Sequence, residues 1–405
     1  MARDLTLSID IGTGSVRAAQ FIGRDLPIDA IYAANDDTIF EGLAHAIYDR
    51  IEDYATTGGI TSAEAAGDYK RLSYALVPTE AGQFAHLTNN SERMVQSSLQ
   101  KRMMDESLWK RNRVRTKFWI DGEYSLMNMN NPDGANDITG DMTSVMAGYD
   151  VQISPETIIG INGGVTMGNL RENMSLDLSY GNKTVNGGRD TRVNSTMINI
   201  GGYVLSKMGE SSTFYASANL YSHSLGMDKD MNMGLVGHKI GAVSGGGNAS
   251  SFGGEFGMIH SIAGQYVIGN LSARFVQSNG FKFTSAIEGE DYMNFRQEGY
   301  TTFAPGYSVM AQRRMYLHPS FIMRPYLSVG AEYQVMTMGD MIQYKYAPAD
   351  LWSEFRTDVD PLWVTAKGGF EFLSISGLQF GIGLAYHYNA VMTVQSVNFG
   401  ASMRF

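Results

Sequence analysis

The stretch that decides the fold is residues 394–405, VQSVNFGASMRF, the end of the chain. Chain ends are usually polar and frayed, but here apolar and polar side chains alternate up to the last residue. In an extended strand the side chains alternate with period two. Val397, Phe399, Ala401, Met403 and Phe405 therefore share one face, and Asn398, Gly400, Ser402 and Arg404 share the other.

The same alternation recurs upstream. In SGLQFGIGLAYHY, Leu378, Phe380, Ile382, Leu384, Tyr386 and Tyr388 fall together, opposite Gln379, Gly381, Gly383, Ala385 and His387. PLWVTAKGGFEF and MRPYLSVGAEYQV repeat it, and shorter stretches such as KFWIDGEY, IIGINGGVTM, MINIGGYVL and GNLSARFV extend it back to residue 117. About twelve strand candidates follow one another between residues 114 and 405. Short turns alternate with longer polar stretches such as NNPDGANDITGDM and VGHKIGAVSGGGNASS, which read as loops.

The polar faces set the class. They carry Gly, Ser, Asn and Gln together with Lys117, Asp121, Glu123, Glu255, Arg274, Arg324, Glu332, Lys367, Glu371 and Arg404. A soluble sandwich turns its apolar face inward against a second sheet. Apolar-out, polar-in strands of about ten residues are what a closed transmembrane barrel requires. The fold class read from the sequence is all-β, a transmembrane antiparallel β-barrel of about twelve strands.

Composition agrees. Of 405 residues, 46 are Gly, 22 Tyr and 19 Phe, with only 9 Pro, as expected of many short strands. No run approaches the ~18 apolar residues of a spanning helix. The net charge of −10 argues against a nucleic-acid partner. The absence of Cys removes disulfides and thiolate chemistry, and suits export through an oxidising compartment. No secretory signal is visible in MARDLTLSID. The 7 His show no metal-ligand spacing, and no cofactor or metal is expected. The 25 Met read as flexible apolar surface facing lipid.

From Pro78 the texture changes. PTEAGQFAHLTNNSERMVQSSLQKRMMDESLWKR lacks strand alternation and predicts a helix starting at Pro78 and Thr79. About 25 residues at ~1.5 Å each span roughly 37 Å, slightly more than a bilayer core. Its faces read as mostly polar all round, so lipid would reject it and a charged lumen would accept it. The expected organisation is a small N-terminal segment or remnant over 1–77, a luminal helix over 78–108 and the barrel over 109–405. Within the first part, Ile39, Leu43, Ala46, Ile47 and Ile51 form an amphipathic stripe capped by Asn35, Asp36 and Asp37.

A polar helix leading into such a barrel resembles the translocator domain of autotransporters, the type V secretion proteins of Gram-negative bacteria. LVPTEAGQ resembles that family's linker. FWIDGEYSL together with MTSVMAGYDVQISPETIIGINGGVTMG resembles its first three strands, with Trp119, Gly148, Asp150, Gly160 and Gly163 in familiar places. The final VNFGASMRF resembles its terminal strand, where Phe399, Gly400, Met403 and Phe405 would form the signal read by the barrel assembly machinery. The resemblance implies a monomer in outer-membrane lipid that moves or anchors its own N-terminal passenger at the cell surface.

TNNSERM resembles the cleavage site of self-cleaving members. There the side-chain amide of Asn89 would attack its own carbonyl and expel the amine of Asn90. Asp121, Glu123, Glu255 and Glu332 are candidate luminal carboxylates for polarising that amide. The alternatives are a mitochondrial-type outer-membrane barrel (translocase or anion channel) and a passive porin. SIDIGTGSVRAAQF also resembles the first phosphate loop of sugar kinases, through Asp10, Gly12, Thr13 and Gly14. The rest of the chain lacks the alternating strands and helices of that fold.

Overall fold

In the computed structural model the described residues are 79–107, 116–129, 136–175, 178–180, 183–185, 188–232, 242–264, 266–287, 290–337, 341–346, 353–356 and 361–405. The expectations for 1–77, the phosphate-loop stretch included, lie outside them. Helix α1 (Thr79–Ser107) precedes the barrel strands β1 (Thr116–Met129), β2 (Asn136–Gln152), β3 (Thr157–Ser175), β4 (Gly188–Lys207), β5 (Ser212–Asn232) and β6 (Val243–Ala263). The circuit continues with β7 (Val267–Ile287), β8 (Tyr300–Gln312), β9 (Phe321–Tyr333), β10 (Leu362–Ser374), β11 (Leu378–Tyr388) and β12 (Met392–Arg404). Five shorter segments, 290–297, 315–318, 335–337, 341–346 and 353–356, extend this sheet around β7, β8 and β9. A small separate hairpin pairs 178–180 with 183–185.

Neighbouring strands are antiparallel all the way round, and β12 pairs with β1 from Met129–Met392 to Lys117–Arg404. The backbone N–H of Phe405 then donates to the carbonyl of Thr116 at 3.0 Å. Closure leaves no sheet edge in hydrocarbon, where unpaired backbone groups cost several kcal/mol each. The final residues therefore alternate to the end because they are the closing strand.

The seam is keyed on both sides. Outside, the ring of Phe399 lies across Gly122, its directly opposed partner, where an added Cβ would come within 2.1 Å of the ring. Inside, Asp121 occupies the space over Gly400, where a Cβ would lie 2.3 Å from Oδ1.

Over the middle of the barrel the faces are apolar-out and polar-in. Phe118, Ile120, Ile161, Ile198, Ile200, Leu220, Leu327, Leu384 and Phe399 project outward. Soluble monomers rarely expose so much contiguous apolar surface. Lys117, Glu255, Arg274, Arg324 and Glu371 are buried inward.

Strands β3 to β7 are 19–21 residues long, about twice the ~9–11 needed to cross a bilayer. Their excess stands above the apolar band as a collar, and there the pattern inverts. Leu170, Val193, Leu225, Met227, Phe281 and Phe283 point inward and are buried. Arg171, Arg192, Asp228, Asp230 and Lys282 point outward. On β7 the change of face occurs at Gly280, whose φ of 73° belongs to the left-handed region that glycine enters at little cost.

Three expectations are corrected. The stretches read as loops are partly strand, since β2 starts at Asn136 and β6 at Val243. Pairing on both sides overrides the poor strand preference of VSGGGNASS. Helix α1 is not polar all round: Leu87, Val95, Leu99 and Met103 form a buried seam along it. Finally, many Met side chains face the interior rather than lipid, among them Met94, Met127, Met142, Met146, Met197 and Met392. An unbranched thioether fills irregular space between helix and wall as readily as it meets lipid.

Gly122→Val is expected to force Phe399 off the seam, costing about 1–3 kcal/mol. Its folded, SDS-resistant band should weaken relative to Gly163→Ala, where the added Cβ meets its nearest atom at 3.4 Å.

Candidate functional site: the helix in the lumen

Helix α1 lies inside the barrel, packed against the wall formed by β2 to β6. Its seam of Val95, Leu99 and Met103 meets Trp119, Met146, Met197, Tyr203, Leu205, Tyr215 and Tyr221. Residues four apart stack on one face of a helix, so this narrow stripe seats α1 while the other faces remain polar.

The helix has a definite direction. Its first turns lie at the rim with the longer connections, where Phe84 packs on Phe281, Phe283 and Phe295 with centroids 6.0, 4.8 and 6.3 Å away. Nearby, Gln83 Nε2 donates to Glu172 Oε2 at 2.7 Å, and Glu172 also takes Arg189 at 2.6 Å. Its last turn lies at the rim with the short turns. There Glu106 accepts from Lys117 at 2.6 Å and has Arg404 at 3.7 Å, while Asp105 accepts from Arg324 at 2.6 Å. Arg324 also contacts Glu371.

Between these ends the polar residues of α1 meet the wall in order. Glu92 Oε1 takes the hydroxyl of Ser251 and faces His223 Nε2 at 3.2 Å, so both groups converge on one carboxylate oxygen. Gln96 donates to the Tyr221 hydroxyl at 2.6 Å and accepts from Ser217 at 3.2 Å. Gln100 donates to Glu255 at 3.0 Å, and Glu255 also accepts from the Tyr215 hydroxyl. Burying these polar groups is tolerable because each finds a partner.

The most connected node surrounds Asp150. It accepts from Arg102 of the helix, from the Tyr203 hydroxyl and, at 3.1 Å, from Trp119 Nε1. The indole also reaches the Tyr203 oxygen at 3.0 Å. Both rings need glycine beneath them: a Cβ at Gly148 would lie 2.3 Å from Trp119, and one at Gly160 would lie 2.3 Å from Tyr203. Trp119, Gly148, Asp150 and Gly160, spread over three strands, thus form one constellation. Gly163 stands apart from it.

Asn89 and Asn90 are buried in the upper half of α1, and Asn90 Nδ2 contacts Met392 Sδ at 3.2 Å. The carboxylates named with them do not gather at one point. Glu123, bonded by Ser125 at 3.3 Å, lines a cavity with Asn90, Arg93, Trp363 and His387. Asp121 accepts from Ser98 at 3.2 Å, and Glu255 from Gln100, both farther down the helix. Glu332 takes Arg274 at 2.7 Å and has Arg93 at 3.7 Å. Arg93 also stacks on the indole of Trp363 at 3.7 Å. Of the proposed terminal signal, Phe399, Met403 and Phe405 face outward and Gly400 faces Asp121. The helix residues Arg102, Asp105 and Glu106 escaped the sequence reading, although their charges in a helix bound for a charged lumen were the available signal.

A closed barrel with an apolar outer band and a polar helix threaded through it is the architecture of an outer-membrane translocator. The family model described as autotransporter beta-domain matches residues 118–385. The chain belongs to that family, and its place is the Gram-negative outer membrane. Among solved structures, the translocator domain of the autotransporter NalP from Neisseria meningitidis aligns at 11% identity, covering 78% of this chain and 98% of that one, with a TM-score of 0.50. The beta domain of the Bordetella autotransporter BrkA aligns at 13% identity over 72% and 100%, with a TM-score of 0.47. The transport unit of AIDA-I from Escherichia coli aligns at 14% over 73% and 91%, with a TM-score of 0.43. No curated protein matches the sequence.

Arg102→Ala would take from Asp150 its cationic partner inside the lumen, leaving it only the Tyr203 hydroxyl and the Trp119 indole. The expected loss is about 3–5 kcal/mol, read as a lowered thermal unfolding midpoint of the detergent-folded barrel.

Proposed function

We propose that the barrel exports the polypeptide that precedes α1 and then holds it at the cell surface. The observation that carries this reading is the direction of the helix. Outer-membrane barrels keep short turns on the periplasmic side and longer loops outside. Phe84 lies at the long-loop rim and Glu106 at the short-turn rim, so the N-terminal end of α1 points toward the cell exterior. The aromatic packing on Phe84 and the ion pairs on Asp105 and Glu106 tie both ends of α1, which suits an anchor. In the same reading, the outward Phe399, Met403 and Phe405, with Gly400, present the closing strand to the assembly machinery. The protein works as a monomer.

An epitope placed before Thr79 should be reached by antibody and removed by protease on intact cells, while one placed in the turn at 208–211 should be protected. Protection of the first epitope would overturn the orientation.

A second reading, self-cleavage at Asn89–Asn90, is favoured by the burial of both residues and by the cavity that Asn90 shares with Arg93 and Glu123. The Asn89 amide nitrogen would bond to its own carbonyl carbon, closing a succinimide. The bond to Asn90 would break, and its nitrogen would leave as a protonated amine. Glu123 is the carboxylate this arrangement favours for polarising the amide. The intact mass after outer-membrane assembly should show a break after Asn89 that Asn89→Ala abolishes and Glu123→Gln slows. A single uncut mass would remove the chemistry and leave the anchor.

A further inference from the structure

Because α1 is seated on β2 to β6, it leaves space on its other side. There Arg93, Ser97, Lys101 and Met104, spaced as one helical stripe, face β7 to β11 across a cavity with about 890 Å³ of free space, part of it continuous with solvent.

Its charged lining comprises Arg93 and Lys101 from the helix, Arg274, Lys367, Glu255 and Glu332 from the wall. Four cations thus face two carboxylates. Glu332 is divided between two guanidinium groups, at 2.7 Å from Arg274 and 3.7 Å from Arg93. Glu255 is occupied by hydroxyl and amide donors, Tyr215 and Gln100. Lys101 lies over the ring of Tyr326 at 5.7 Å, and Lys367 donates to the Ser97 hydroxyl. Asp121 and Glu123, on β1, take hydrogen bonds from Ser98 and Ser125 and lie within electrostatic reach of Lys101 and Lys367 respectively, offsetting part of that positive charge.

A second, independent observation concerns donors. Arg274 is 2% exposed, yet its Nε and Nη1 have no hydrogen-bond partner within the protein, and neither has the Ser308 hydroxyl beside the same cavity. A buried guanidinium with unmet N–H groups is costly, and guanidinium is the group best suited to oxyanions. Lys101 and Lys367 add compact positive charge to the same lining.

We propose that this cavity binds a small oxyanion of the phosphate or sulfate class, held by Arg274 and Lys367 of the wall and by Lys101 of the helix. The bound anion adds to the few direct contacts that α1 makes with these strands, so its occupancy stabilises the seated helix. Export of a passenger is not required for this binding, so the outcome below leaves that reading untouched.

The test uses the complete chain folded in detergent. Inorganic phosphate, titrated at constant ionic strength against sodium chloride, should give saturable heat and a saturable rise in the unfolding midpoint. Lys101→Gln and Lys367→Gln should each weaken phosphate binding by about tenfold, the loss of one charge-assisted contact. Arg274→Gln should abolish it. Lys101 is on the helix and outside the wall, so its variant still informs if Arg274→Gln does not fold. Phosphate and chloride acting alike on the parent protein, or parent-like phosphate binding by Lys101→Gln and Lys367→Gln, would overturn the proposal.

Discussion

The interior of a membrane barrel must satisfy polar groups that lipid cannot reach and that only limited water can serve. Here a helix meets that demand. Glu92, Gln96, Gln100, Arg102, Asp105 and Glu106 descend α1, and each finds a complementary group on the wall. Neither surface makes sense alone. The wall charges would be expensive without partners, and the helix has too narrow an apolar stripe to be stable in lipid or to fold by itself in water. Position is set by apolar contact along Leu99 and Met103, while rotation and depth are set by the polar pairs.

That division explains the asymmetry of the lumen. Aromatic and Met side chains of β2 to β6 bring α1 close to one wall, and the two glycines under Trp119 and Tyr203 let those large rings lie flat enough for it to do so. Across the lumen, the strands carry small and polar residues such as Ser308, Ser328, Gly330 and Thr365. They stand back from the helix.

The barrel itself was legible because its signal is local. Period-two alternation in VQSVNFGASMRF or SGLQFGIGLAYHY needs no knowledge of partners, and so the class, the approximate strand number and the inward charges could be read directly. The Gly-rich first half of β6 was not legible, because only pairing with β5 and β7 makes VSGGGNASS extended. Nor was the collar, since beyond the bilayer the outward face must be polar and the alternation changes sign. The inward methionines were missed because the same side chain suits lipid and a packed lumen. At the site, the luminal position of Asn89 and Asn90 followed from the helix, but the partner of each carboxylate did not. Arg324 meets Asp105 from 219 residues away, and nothing in either neighbourhood announces the match.

The unequal height of the wall has a mechanical consequence. Strands β10 to β12 run 11–13 residues, close to the thickness of a bilayer, whereas β3 to β7 continue well past it. A thicker membrane would have to wet the outward Arg171, Arg192 and Lys282 with acyl chains or thin itself beside them, each at an energetic cost. The collar therefore acts as a draught line on one flank only. Hydrophobic mismatch becomes a torque about an axis in the membrane plane, and the tilt of the barrel, with that of the helix seated in it, responds to bilayer thickness.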